Sequence, residues 1–216
     1  MFQYILFDLD GTLTNPEVGI TNSLIYALEK FDVRVEDKKE LYCCIGPPLM
    51  YSFTEFFGFS REQAEKATEY YRECFSKTGI YENEVYNGIK DVLSSLKKAG
   101  KTLILATAKP EPYANIILEH FGLSEYFDIV TGATFDETLN NKTDIITEAL
   151  KRADIKDKST AIMIGDRFHD IEGAKINSIA TIGVLYGFGT MEEMTEYKAD
   201  FIANTPEDIL KIIGVQ

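Results

Sequence analysis

Two carboxylates, Asp8 and Asp10, stand at the end of a short apolar run, Tyr4-Ile5-Leu6-Phe7, and are followed by Gly11-Thr12. A strand that curls away after Asp8 lets both side chains address one space from different angles. Two carboxylates so placed repel each other and invite a divalent cation or a shared proton. Gly11 permits the tight turn this needs. The plainer reading is an ordinary Asp-Gly turn on an acidic strand end. A second apolar run, Leu103-Ile104-Leu105-Ala106, ends in Thr107. A hydroxyl beside the amides of a helix start suits an anion such as phosphate, or else Thr107 serves only as a cap. Lys142 opens a helix, where the dipole disfavours a cation; that mismatch points to a held anion, or to a plain surface lysine. Ile162-Met163-Ile164 runs into Gly165-Asp166, with Asp170 four residues on. Both carboxylates can approach one cation, unless the segment is a simple strand-to-helix turn.

The elements that must carry these residues follow from periodicity. Short apolar runs at Thr102–Ala106, Phe127–Val130, Ala161–Ile164, Thr181–Val184 and Phe201–Ala203 alternate with helical patterns near 89–99, 112–121, 142–153, 169–177 and 206–213. Strands spaced by helices of that length predict an α/β fold, a parallel sheet covered by helices on both faces. In such a sheet ligands bind outside the carboxyl ends of the strands, where all four motifs fall. The N-terminal strand belongs with this region, so residues 1–14 and 87–216 form the core and residues 15–86 an insertion. The insertion reads as helical, through Ile20, Leu24, Leu28 and Phe31 and again from about 50 to 75. Gly58 interrupts the second stretch and Ser60 is its N-cap. Phe and Tyr crowd the segment Tyr51–Tyr86, as a small helical bundle requires to fill its interior.

Composition limits the function. The net charge of −13 argues against a nucleic-acid polymer as partner, which calls for a basic face. It also means that an anionic substrate must be met by local cations or a metal. No apolar run reaches membrane-spanning length, and no secretory leader is expected. Three cysteines, Cys43, Cys44 and Cys74, make no disulfide framework and no paired metal motif, in keeping with a reducing cytoplasm. A monomer is the default expectation.

Taken in order, Asp8-x-Asp10-Gly11-Thr12, Thr107, Lys142 and Gly165-Asp166-x-x-x-Asp170 resemble the haloacid dehalogenase superfamily. The resemblance runs over the whole chain, since the insertion after the first motif looks like the helical cap of that family. It implies a Rossmann-like core with an inserted α-helical cap. Within the superfamily the chain is most similar to the phosphoglycolate phosphatase and 5′-nucleotidase-like branch, through Ile45-Gly46-Pro47-Pro48-Leu49, Tyr81-Glu82-Asn83-Glu84-Val85-Tyr86 and Gly165-Asp166-Arg167-Phe168-His169-Asp170.

The resemblance implies hydrolysis of a small phosphorylated metabolite through an aspartyl-phosphate, with Mg2+. Asp8 is then the nucleophile and Asp10 the general acid and base. Asp8, the Asp10 carbonyl, Asp166 and Asp170 hold the metal, Asp170 directly or through water. Thr107 and Lys142 bind the phosphoryl oxygens, with Gly11, Thr12 and Lys109 beside them, and Thr12 orients Asp10. Arg167 is expected in an ion pair, and His169 in a structural role. In the cap, Gly46, Pro47 and Arg72 are the candidates for substrate selection. The cap is expected to close about hinges at Thr14-Asn15-Pro16 and Tyr86-Asn87-Gly88. A nucleoside 5′-monophosphate stands ahead of phosphoglycolate as substrate, because a flat base can stack on a cap ring. The alternatives are a phosphomutase or phosphotransferase of the same fold, a dehalogenase, and a phosphoryl-accepting signalling module. The second acid at Asp10 goes against the dehalogenase. The motif order and the large insertion go against the signalling module.

Overall fold

The computed structural model describes residues 2–136 and 138–215. The chain forms two compact units, one from Met1–Asn15 and Val85–Gln216, the other from Pro16–Glu84. No helix among the described residues is long and apolar enough to cross a membrane.

In the first unit β1 (Tyr4–Phe7) is fed by an almost wholly apolar tetrapeptide whose last three residues are buried. After the small strand β2 (Thr14–Asn15), the chain leaves for the second unit. That unit holds α1 (Glu17–Glu29), α2 (Leu49–Glu55) and α3 (Arg61–Cys74). Ser60 caps α3 by accepting from Gln63 N, and Gln63 Oε1 answers by accepting from Ser60 N. This reciprocal cap fixes the helix start that follows the turn at Gly58, where φ is +66°. The interior of this unit is aromatic: Phe53 stacks on Phe59 with ring centroids 5.8 Å apart, and Tyr71 on Phe75 at 5.4 Å. Burial pushes the thiol of Cys44 up to about 12, so it is no activated nucleophile.

The chain returns through β3 (Glu84–Val85) and builds the rest of the first unit. The order is α4 (Ile89–Lys98), β4 (Thr102–Pro110), α5 (Glu111–His120), β5 (Ile129–Ala133), α6 (Lys142–Arg152), β6 (Ala161–Gly165), α7 (Phe168–Ile176), β7 (Ala180–Val184), α8 (Met191–Glu196), β8 (Phe201–Ala203) and α9 (Pro206–Ile213). The main sheet has the order β5-β4-β1-β6-β7-β8, and its pairings are parallel. From β1 the chain steps outward to β4 and β5, then crosses to β6 and proceeds the other way. Right-handed crossovers therefore set α4 and α5 on one face and α6 and α7 on the other. The reversal makes the carboxyl end of β1 a topological switch point, the place where such sheets bind ligands.

Two strand boundaries differ from the sequence expectation by more than one residue. β5 lies at Ile129–Ala133 and not at Phe127–Val130, because Thr131 continues the strand while fully buried, and a polar residue hides a strand from an apolar-run reading. β4 extends through Thr107 to Pro110, with a register shift against β5 between those two residues, so Thr107 stands within the strand end and α5 is capped by Pro110.

Leu6, Ile104, Ala106, Ile145, Ile146 and Met163 form one buried cluster between the sheet and α6. Leu6 lies at its centre on β1. Leu6→Ala removes a buried side chain from a site that cannot collapse freely, and is expected to lower stability by about 3 kcal/mol. A urea unfolding curve of the variant reads this as a lower midpoint.

Candidate active site

Asp8 follows the last residue of β1, and its N–H donates to Ile164 O of β6 at 2.9 Å. The chain then coils on itself: the N–H groups of Leu13 and Thr14 donate to Leu9 O at 2.9 and 3.1 Å, and Gly11 N donates to Thr14 O at 2.8 Å. Gly11 has φ +80°, and a Cβ there would lie 2.1 Å from Asp166 Oδ2. Only glycine satisfies both the turn and this approach. The coil buries both Asp8 and Asp10 at the switch point.

Asp166 follows β6, and Asp170 lies in the first turn of α7. Asp8, Asp166 and Asp170 each offer an oxygen within 4.8 Å of the others, and all three are buried. A set of carboxylate oxygens alone suits a hard divalent cation. Lys142 is not a surface lysine: it is 7% exposed at the start of α6, a helix capped by Asn141 accepting from Asp144 N. Its Nζ lies 2.8 Å from Asp8 Oδ1 and 2.8 Å from Asp170 Oδ1, close enough to neutralise them though off the angle of a hydrogen bond to either. It donates to Ala106 O at 3.2 Å. Thr107 is 1% exposed, and its hydroxyl accepts from Lys109 N at 3.2 Å. The amides expected beside it from a helix start are therefore those of the strand end instead.

Asp10 stands apart from the three-carboxylate group and pairs with Lys109, Nζ to Oδ2 2.5 Å, both side chains nearly enclosed. Its Oδ1 is buried and meets no hydrogen-bond donor among the described residues. Thr12 differs from its expected role. Its hydroxyl points to Asp166 Oδ1 at 3.5 Å, leaving Asp10 to Lys109. Arg167 pairs with Glu193 at 3.1 Å. His169 is half-buried against Phe168, ring centroids 3.8 Å apart. Burial and the Lys142 charge bring its pKa down to about 4, so it is neutral near pH 7. Gly46, Pro47 and Arg72 belong to the second unit. Gly46 has φ +104°, Pro47 is buried, and Arg72 is half-buried in the last turn of α3.

The charges of the cluster are strained. Burial, then Asp170 and Asp8, raise the Asp166 pKa well above the carboxylate range, against the relief of the Phe188 N–H. Burial lifts Asp170 to about 6 although Lys142 opposes it. Burial also raises Asp10 against Lys109. Burial works against the Lys142 ammonium, yet Asp170 and Asp8 outweigh it and hold its pKa above the ordinary value.

The loop after β7, residues 185–190, carries no motif of its own, yet it holds Asp166. Phe188 N donates to Asp166 Oδ2 at 2.8 Å, and Tyr186 Oη donates to Thr12 O at 3.1 Å. A Cβ on Gly187 would lie 2.2 Å from Gly11 O, so the two loops touch backbone to backbone. The available signal was Gly187-Phe188-Gly189 directly after a strand at the ligand-binding end of the sheet.

Residues 5–184 match the profile of a family described as haloacid dehalogenase-like hydrolase. A 5′-nucleotidase from Pseudomonas aeruginosa is 42% identical over 204 residues, covering 92% of each chain. A tyrosine-protein kinase, PtkA, from Mycobacterium tuberculosis is 35% identical over 209 residues, 96% of this chain and 68% of that protein. The crystal structure of a protein named as a predicted phosphatase from Clostridium acetobutylicum superposes with a TM-score of 0.96 at 46% identity, covering 99% of this chain and 98% of that one.

The raised acids have a measurable consequence. In the metal-free fold the Asp170 pKa is raised from 3.8 to about 6. Its stabilising contribution is therefore full below pH 3.8 and is lost as pH rises toward 6, with Asp166 acting in the same direction. A bound cation reverses this by favouring the ionised forms. Millimolar magnesium is expected to raise Tm at pH 7.5 over the chelated protein, with a gain that shrinks at pH 5.5 as protons compete. Thermal melts at both pH values check this; an equal gain at each would contradict it.

Proposed function

This chain belongs to the haloacid dehalogenase-like hydrolases and is a phosphoric monoester hydrolase, and from that premise we propose that it is a magnesium-dependent phosphatase acting through an aspartyl-phosphate, an acyl phosphate on Asp8. Its substrate is a small phosphomonoester of the nucleoside 5′-monophosphate class. The observation that carries this reading is the meeting of Asp8, Asp166, Asp170 and Lys142 at the switch point of the sheet.

Asp8, Asp166 and Asp170, with the Asp10 carbonyl, are the groups that would hold the ion. Magnesium supplies charge neutralisation and orientation of a phosphoryl oxygen. Asp8 attacks phosphorus, forming one P–O bond as the ester P–O bond breaks. Asp10, whose raised pKa suits a proton donor, gives its proton to the leaving oxygen. Asp10 then takes a proton from water, which attacks phosphorus and frees Asp8 as inorganic phosphate departs. Thr107 and Lys142 bind the phosphoryl oxygens while charge shifts among them. Lys142 already balances Asp8, so it holds the nucleophile in place before substrate arrives and turns to the phosphoryl oxygens afterwards. Lys109 holds Asp10 between its two proton transfers.

The nucleotide class is supported by the relative named 5′-nucleotidase, which aligns along nearly the whole chain. Transfer to an acceptor other than water uses the same first step, and the relative named a tyrosine-protein kinase makes that reading worth an arm of the test.

Phosphate release is to be measured across nucleoside 5′-monophosphates, phosphoglycolate and sugar phosphates, with magnesium and with a chelator, and with a tyrosine peptide as a competing acceptor. Nucleoside 5′-monophosphates are expected to turn over fastest, with release abolished by the chelator and no phosphopeptide formed. Asp8→Asn removes the nucleophile and is expected to lower turnover by at least about a thousandfold. Its Tm should not fall, because the change neutralises one of several crowded anions. Turnover by Asp8→Asn near that of the parent would remove Asp8 from the mechanism.

A further inference from the structure

The two carboxylates contributed by the β6–α7 segment are held by different backbone amides. Phe188 N holds Asp166 directly. Asp170 depends on where α7 begins, and α7 begins without a capping side chain from Arg167. Asp170 Oδ2 accepts from Arg167 N at 3.1 Å, which leaves the Phe168 N–H at the helix start still to be satisfied. It is taken by a residue 25 positions away, Glu193, whose Oε1 accepts from Phe168 N at 2.6 Å and from Arg167 Nε at 3.1 Å. The pair is largely enclosed, with side-chain exposures of 15% for Arg167 and 18% for Glu193. Glu193 is itself fixed. Its N–H donates to Thr190 Oγ1 at 3.2 Å, and the neighbouring Met194 is fully buried.

An acid so close to a cluster of acids calls for a reason. Its charge is balanced by Arg167 and by the positive end of α7. What it supplies is a fixed start for the helix that carries Asp170. Without that anchor, Asp166 and Asp170 can relieve their repulsion by sliding apart. We infer that Glu193 is a positioning residue for the metal-binding carboxylates: it pins Arg167 and Phe168, the residues next to Asp166 in the turn that leads to Asp170, and so sets the affinity of the site for its cation. Outer partners of metal ligands have this effect elsewhere, typically ten- to a hundredfold in affinity. The inference rests on the proposed magnesium site.

The test compares the parent with Glu193→Ala, Glu193→Asp and Ile213→Ala, the last emptying core space on α9 as a stability control. Half-saturating magnesium is read twice, from the magnesium-induced rise in Tm and from the rate of phosphate release. Both Glu193 variants are expected to raise half-saturating magnesium about tenfold or more in both readouts. Their rate at saturating magnesium should stay within about threefold of the parent, since the reacting groups are untouched. Ile213→Ala lowers Tm with no change in half-saturating magnesium. Glu193→Asp keeps the charge but draws the oxygen away from Phe168 N, so it decides the matter alone if the alanine variant does not fold. Glu193 variants that lose Tm but keep the parent's half-saturating magnesium would overturn the inference. Failure of the magnesium reading itself would show in the parent, as a Tm and a rate indifferent to the ion.

Discussion

Four buried carboxylates crowd the neighbouring carboxyl ends of β1 and β6, and two buried lysines among the described residues face them. Asp8, Asp10, Asp166 and Asp170 lie nearly out of contact with water, with Lys142 between two of them and Lys109 against a third. Left to themselves such anions protonate or move apart. The surrounding structure prevents the second outcome and, on the proposed function, holds them ready for a cation and a phosphoryl group. β1 and β6 deliver Asp8 and Asp166 from hydrogen-bonded neighbouring strands. Gly11 and Gly187 let two loops close on Asp166 at distances no side chain allows. α6 brings Lys142 inward against the preference of its own dipole. In a chain of net charge −13, the positive charge proposed to meet a phosphate is thus placed by a few residues and not by the molecule as a whole.

Much of this was legible in the chain because the groups proposed as catalytic sit at strand ends. Each strand is a short apolar run, and each run stops at the polar residue that matters: Asp8, Thr107, Asp166. The helix periods between the runs then order the sheet, and the rule for parallel sheets gathers the strand ends. Where a strand contains a buried polar residue the reading slipped, as at Thr131, which carries β5 past the point where apolarity ends. Pairings between distant segments were out of reach. Nothing local marks Lys109 for Asp10, Thr12 for Asp166, or Phe188 for Asp166, because each contact is set by how the loops fold over one another. Glu193 was equally silent, one acid among many on a short polar helix, until its carboxylate was found at the start of α7.

Family membership adds constraint without supplying the substrate. The relatives include a protein named a 5′-nucleotidase and one named a tyrosine-protein kinase, at 42% and 35% identity. On the proposed mechanism a carboxylate takes the phosphoryl group, and the acceptor in the second step decides the outcome. The residues around Asp8 are the proposed determinants of the first step. Gly46, Pro47 and Arg72 remain the proposed determinants of which molecule presents the phosphate.

The central claim is that the Asp8 carboxylate carries the phosphoryl group between two displacements. Rapid acid quench of the parent enzyme during turnover of a nucleoside 5′-monophosphate, followed by peptide mass spectrometry, reads that directly. A phosphoryl group on the peptide containing Asp8, located to that residue and formed only with magnesium present, is the result this account predicts. A quenched enzyme with no phosphoryl group at Asp8 while phosphate is being released, or with the group on another residue, would contradict it.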